Sequence, residues 1–285
     1  MNKTTNVLTI AGSDSVGGAG IQTDIRTIFS TRCYASSCIT AVTAQNSLGV
    51  RSIMAVDEVT LRNQIDAVLE DITINAIKIG MIYTKQNVVA IKDALKANNY
   101  NGFIVLDPVL VATSGDSLAQ MDFLTTLEKE LFPLCDVLTP NIPEAEMICN
   151  CKIKTIEDII ECGRQIIESF GVKNVLIKGG HADKDEMTDI LIRNDSIVEA
   201  FSAPKINTKN THGTGCTLSS AIASFLAKDY SLTESIRWAK EFVYQALQNS
   251  KDYALGKGPS ACLIEQPYII MYDSEEKNNV KVYQI

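Results

Sequence analysis

Short apolar runs alternate with stretches of helical period along most of this chain. Residues 6–10, 37–44, 76–79, 103–106, 136–138 and 174–177 are β-rich and apolar at neighbouring positions, as strands buried on both faces should be. Between them, apolar residues recur every three or four positions. Leu61, Ile65, Val68 and Leu69 mark one helix, and others are expected over about 21–29, 88–95, 120–131 and 156–170. Pro143 suits the first turn of another. Leu218, Ala221, Ile222, Phe225 and Leu226 form one apolar face of a further helix, and Ile236, Ala239, Val243, Ala246 and Leu247 do the same over about 233–250. Residues 51–56 read as a strand. Leu191-Ile192 and Ile197-Val198 read as a hairpin across Arg193-Asn194-Asp195-Ser196. Two β-like runs close the chain, 268–272 and 280–283, fit either to extend a sheet edge or to make a subunit contact.

Strands and helices alternate from residue 6 to 250 with no Pro/Ser-rich linker, repeat or low-complexity segment. The pattern predicts an α/β fold of one domain over 1–285, a three-layer α/β/α sandwich whose central sheet is mostly parallel. With 285 residues, 46% of them hydrophobic, the chain can bury a large core. A formal net charge of -8 argues against a nucleic-acid partner. No apolar run approaches the roughly 20 residues of a membrane span. Residues 1–6 run straight into a strand, so no signal peptide and a cytoplasmic location are expected. There are eight cysteines and two histidines with no Cys-x-x-Cys pair, so a zinc site is not expected. Most of the cysteines, Cys38 and Cys135 among them, read as buried apolar residues.

The candidate chemistry collects at strand ends: Gly12, Gln45, Met81, Asp107, Asn141 and Lys178. In open α/β sheets ligands bind at that edge. The first strand runs into a glycine-rich loop, Gly12 to Gly20, which fits neither the dinucleotide motif (position 23 is Thr23) nor the P-loop (Gly18-Ala19 stands in place of Lys-Ser/Thr). The stretch Thr211-His212-Gly213-Thr214-Gly215-Cys216 sits directly ahead of a helix. Two glycines around a threonine can aim successive N–H groups at one point, and a helix start adds free N–H groups and partial positive charge. That is a cradle for a phosphate, in which the field would favour a thiolate at Cys216. An ordinary tight turn with a buried small cysteine is the competing reading. Asn141 and Glu144 likewise fit a plain capping box as well as a site.

Taken together, these motifs resemble the hydroxymethylpyrimidine/phosphomethylpyrimidine kinases of thiamine biosynthesis, within the ribokinase-like superfamily. The resemblance rests on 8–14, Gly17-Gly18-Ala19-Gly20, 40–46, Lys78-Ile79-Gly80-Met81, Asp107-Pro108-Val109, Ser114-Gly115-Asp116, Thr139-Pro140-Asn141, Lys178-Gly179-Gly180-His181 and 207–218. It covers about 6–260, leaving 261–285 unassigned. It implies ATP and Mg²⁺ as cofactors and a pyrimidine alcohol and its monophosphate as substrates, usually in a homodimer. Gly12, Asp24, Gln45, Met81 and Val109 would then surround the pyrimidine. Lys178, Asn141 and Thr211 would meet ATP, and Asp107 and Glu144 the metal. Gly213, Thr214 and Gly215 would form the anion hole, with Cys216 as base. The family usually has Lys where this chain has Thr113. A pyridoxal kinase is the nearest alternative, although the second cysteine some of those enzymes use is Ala112 here. A non-catalytic nucleotide-binding regulator on the same fold is the reading from another class.

Overall fold

The computed structural model describes residues 4–110, 121–181, 185–253, 255–257 and 279–285. In chain order the first half runs β1 (Asn6–Asp14), α1 (Gly20–Ser30), β2 (Tyr34–Asn46), β3 (Gly49–Ala55), α2 (Glu58–Asp71), β4 (Ala76–Ile79), α3 (Lys85–Ala97) and β5 (Phe103–Leu106). There follow α4 (Met121–Glu130), β6 (Val137–Leu138), α5 (Ile142–Cys149), α6 (Ile156–Phe170) and β7 (Asn174–His181). The last part is β8 (Glu186–Arg193), β9 (Val198–Pro204), α7 (Thr214–Leu226), α8 (Leu232–Ser250) and β10 (Lys281–Gln284).

The strands form one sheet in the order β10-β9-β8-β7-β6-β5-β4-β1-β2-β3. Pairing is parallel from β2 through β7 and antiparallel at the two margins. Neighbouring strand residues serve opposite faces, which explains runs that are apolar at every position. Leu8, Ile77, Ile104 and Val175 pack beneath α2 to α6, while Val7, Ala76, Val105 and Leu176 pack against α1, α7 and α8. The three layers expected from the alternation are therefore present.

Four features extend or differ from the sequence reading, each with a physical cause. The expected hairpin is longer, because β8 and β9 pair from Glu186↔Pro204 to Ile192↔Val198. The 280–283 run extends the sheet edge as β10, pairing Lys281 with Ser202 and Gln284 with Glu199. From Thr217 on, helix α7 is buried on every side and not on one apolar face, since both α1 and α8 pack on it. Its hydroxyls are satisfied internally: Ser219 donates to the Gly215 carbonyl and Ser224 to that of Ser220. Finally, β3 runs back along β2 and brings Val50 and Ile53 over the ligand edge. Cys38 and Cys135 are fully buried, as expected. The 268–272 run, Ala112, Thr113 and Ser114-Gly115-Asp116 lie outside the described residues.

Candidate active site

The parallel strands end on a cleft of about 240 Å³. Gly12 and Gln45 reach it from β1 and β2, Met81 from just past β4, and Asp107 and Val109 from just past β5. Asn141 and Glu144 come from the start of α5 and Lys178 from β7. Thr211, Gly213, Thr214, Gly215 and Cys216 complete the wall. All the expected site residues but one thus converge.

Gly213 caps α7 with φ of 95°. A Cβ there would lie 1.9 Å from the Gly18 carbonyl oxygen, so the glycine loop and the α7 loop meet backbone to backbone. Only glycine accommodates both the angle and the approach. The first turn of α7 consequently opens onto the cleft, presenting a helix start to any anion there. Gly213→Ala is expected to cost about 1–3 kcal/mol of stability and to raise the KM for ATP about tenfold. Thermal melting and steady-state kinetics check it, and unchanged values for both would exclude the cradle.

Across from this turn, Lys178 Nζ donates to Asp107 Oδ1 at 2.6 Å. Burial alone would lower the Lys178 ammonium, but the charges of Asp107 and Glu144 outweigh it and the net shift is upward. Asp107 and Glu144 are both only 3% exposed. Burial pushes the Glu144 carboxyl up to about 7, with Lys178 opposing and Asp107 reinforcing. The capping box is real as well: Asn141 Oδ1 accepts from the Glu144 N–H, and Glu144 Oε2 from the Asn141 N–H. The box fixes the carboxylate in the cleft wall, so capping and a place in the cleft are compatible here. Two buried carboxylates that repel each other are a donor set suited to Mg²⁺, a hard cation.

A carboxyl raised in the folded state stabilises the protein fully below its unfolded pKa and loses that contribution as pH rises through the folded value. The window for Glu144 runs from about 4.5 to about 7. Ligand-free Glu144→Gln is expected to lose less stability than the parent between about pH 5 and about pH 8, by at most a few kcal/mol. Parallel melting curves across that range would show that Glu144 is not raised.

The glycine-loop side of the cleft is organised by two residues the sequence reading passed over. Asp14 accepts from the N–H groups of Val16, Gly18 and Ala19 and lies 3.1 Å from His212 Nε2. Burial would raise its carboxyl, yet His212 and these donors hold it below the usual carboxylate range. Asp14 therefore shapes the glycine loop and ties it to the α7 loop. Gln45 Nε2 lies 3.3 Å from the same imidazole nitrogen, which seats its amide at the cleft wall. The signal in the chain was a carboxylate inside a glycine loop, and only the distant His212 completes it.

Asp24 is the exception among the expected site residues. It is fully buried beneath the cleft, and its carboxylate oxygens each lie 2.8 Å from Lys78 Nζ. Thr9 and Ser220 donate to it as well. With its lone pairs committed, Asp24 supports the floor and does not face the cleft. Burial would pull the Lys78 ammonium down, but Asp24 outweighs it and the net shift is upward. Cys216 also departs from expectation: burial pushes its thiol up to about 11, against the pull of Lys78 and with Asp24 and Asp107 adding to the rise. In the ligand-free protein the helix start does not produce a resting thiolate.

A parallel sheet with an anion cradle at one helix start, facing a lysine and two buried carboxylates, defines a ribokinase-like small-molecule kinase. A family model described as phosphomethylpyrimidine kinase matches residues 14–261. The chain is 40% identical to the hydroxymethylpyrimidine/phosphomethylpyrimidine kinase of Bacillus subtilis (strain 168), over 89% of this chain and 93% of that protein. It is 42% identical to a bifunctional thiamine biosynthesis protein of Geobacter sulfurreducens over 89% of this chain, spanning 51% of that longer protein. A crystal structure of phosphomethylpyrimidine kinase from Clostridium difficile 630 superposes with a TM-score of 0.75 at 41% identity, covering 86% of this chain and all of that one. Pyridoxal kinase from Staphylococcus aureus in complex with ADP superposes with a TM-score of 0.85 at 28% identity, covering 100% of both chains. This chain belongs to the phosphomethylpyrimidine kinase family.

Proposed function

We propose that the protein transfers the γ-phosphoryl group of ATP to the hydroxymethyl group of 4-amino-5-hydroxymethyl-2-methylpyrimidine, and then to the resulting monophosphate. The observation that carries this reading is that one cleft gathers Gln45, Met81 and Val109 together with the α7 start, Lys178, Asp107 and Glu144. Met81 and Val109 pack the faces of a small heteroaromatic ring, and Gln45 meets its amine and ring nitrogens. Lys178 and the start of α7 hold the phosphates. Asp107 and Glu144 would hold Mg²⁺, which would supply positive charge to the transferring phosphoryl group.

In the transfer, the substrate oxygen bonds to the γ-phosphorus, the bond from that phosphorus to the ADP oxygen breaks, and the hydroxyl proton departs. Cys216 lies beside the α7 start and takes the proton in its thiolate form. With the thiol protonated at neutral pH, most of the rate comes from placement and charge stabilisation, as expected for a loose phosphoryl-transfer transition state. No described helix is long and apolar enough to cross a membrane; a cytoplasmic homodimer is the reading we adopt, and light scattering checks the dimer.

The alternative substrate is pyridoxal, favoured by the end-to-end superposition on the pyridoxal kinase. The higher identity to pyrimidine kinases over most of the chain outweighs it. Coupled ATP-consumption assays with the pyrimidine alcohol, its monophosphate and pyridoxal separate the two. Pyrimidine kcat/KM at least about tenfold above pyridoxal is expected, a difference of about 1.4 kcal/mol in transition-state binding. Preference for pyridoxal would overturn the substrate, and no turnover with any of the three would favour the regulator.

A further inference from the structure

At the opposite end of α5 from Glu144, two neighbouring cysteines meet a third from α6. The sulfur atoms of Cys149, Cys151 and Cys162 all lie within 4.8 Å of one another. We propose that these three residues form a binding site for one thiophilic d¹⁰ metal ion, Zn²⁺ or Cu⁺, separate from the active site.

The backbone builds the site before any ion arrives. Cys149 ends α5, and Asn150 follows in the left-handed region with φ of 49°. The Cys151 N–H then turns back to the Glu146 carbonyl at 3.2 Å. The reversal brings two cysteines separated by one residue to the same spot. Glu146 holds the turn from outside, accepting from the Ile153 N–H at 2.9 Å and from Lys152 Nζ at 2.8 Å. Helix α6 packs on α5 and supplies Cys162, whose sulfur lies 2.7 Å from that of Cys149.

The chemistry suits a soft cation. Tetrahedral zinc with bonds of about 2.3 Å spaces its thiolates roughly 3.8 Å apart. A metal would therefore widen the Cys149–Cys162 gap by about 1 Å and draw in the third sulfur, a small adjustment for side chains on two helix ends and a turn. Cys149 and Cys162 are buried while Cys151 is partly exposed, which leaves an entry path on one side. The described groups whose charges act on the thiols are Glu128 of α4 and Glu146. Glu128 is half-buried, and its carboxyl is raised by desolvation. A water would fill a fourth position around zinc, whereas Cu⁺ is satisfied by three thiolates.

The test uses the full chain, reduced and stripped with a chelator. Co²⁺ titration is expected to give a thiolate-to-cobalt charge-transfer band that saturates at one ion per chain and is bleached by added Zn²⁺. Separate Cu⁺ titration against a chromophoric competitor tells the two ions apart. Cys151→Ser, at the exposed corner, should weaken Co²⁺ binding at least about tenfold while leaving pyrimidine kinase turnover and melting unchanged. Cys162→Ser repeats the test from α6, with melting curves to confirm folding. Absence of the band, a band equally strong in both variants, or a Cys149–Cys162 disulfide with no metal uptake after reduction would each overturn the site.

Discussion

Lys78→Met is expected to cost about 3–5 kcal/mol of folding stability, because it strands the Asp24 carboxylate in a fully buried place. In a chain of this size the melting temperature should fall by roughly 10 °C or more. The pair is worth less than this figure suggests, since desolvating both charges costs nearly as much as their attraction returns. Lys78→Met combined with Asp24→Leu should accordingly recover much of the loss, although Thr9 and Ser220 would then lack their acceptor. Thermal melts of the single and double variants decide the matter: equal losses in both would show that the carboxylate was never the problem. Activity should fall further than stability, because Lys78 lies directly under Gly80 and its charge acts on Cys216.

The second large effect concerns Cys216. Cys216→Ala should lower kcat about 10²-fold at neutral pH, the low end of the range for a proton-transfer group. The modest figure follows from the thiol being pushed up to about 11, which leaves little thiolate to act as base. The same shift sets a signature. Parent turnover should rise with pH through the neutral and mildly alkaline range as the thiolate fraction grows, and the Ala variant should show no such rise. A parent profile that is flat over this range, or a variant that keeps its slope, would remove Cys216 from proton transfer and leave it as part of the cleft wall. The comparison needs saturating ATP, so that changes in phosphate binding do not enter kcat.

Strand-end chemistry was legible in the chain because a parallel sheet forces it into one place. Once residues 6–10, 76–79, 103–106 and 174–177 read as parallel strands, Gly12, Met81, Asp107 and Lys178 had to share an edge. The glycines of the α7 loop were legible for a similar reason, since backbone freedom ahead of a helix has few other uses. What failed was direction. Asp24 sits one turn into α1, and sequence position alone does not say whether that turn faces the cleft or the floor; the partner that claims it, Lys78, lies 54 positions away. Cys216 failed by magnitude: the helix start does favour a thiolate, but burial outweighs it. The thiol cluster was invisible because its spacing matches no linear metal motif and depends on the Asn150 turn and on α6. The β10 edge strand was foreseen as one of two options, which only the pairing with β9 could separate.

The contact between Gly18 and Gly213 also governs the order in which the protein can assemble. Asp14 and His212 are 198 positions apart, and Asp24 and Ser220 are 196 apart. The glycine loop and α1 therefore wait for α7 and the loop before it to supply His212 and Ser220, the last partners of Asp14 and Asp24. Contacts this distant in sequence form slowly, because a long loop must close before they repay it. A nascent chain halted before α7 would hold β1 and α1 around a carboxylate with Lys78 but without its Ser220 partner, and with the face that α7 covers open to water. Such a chain is a natural client for chaperones, and ATP binding competence should appear as one of the last events in its folding.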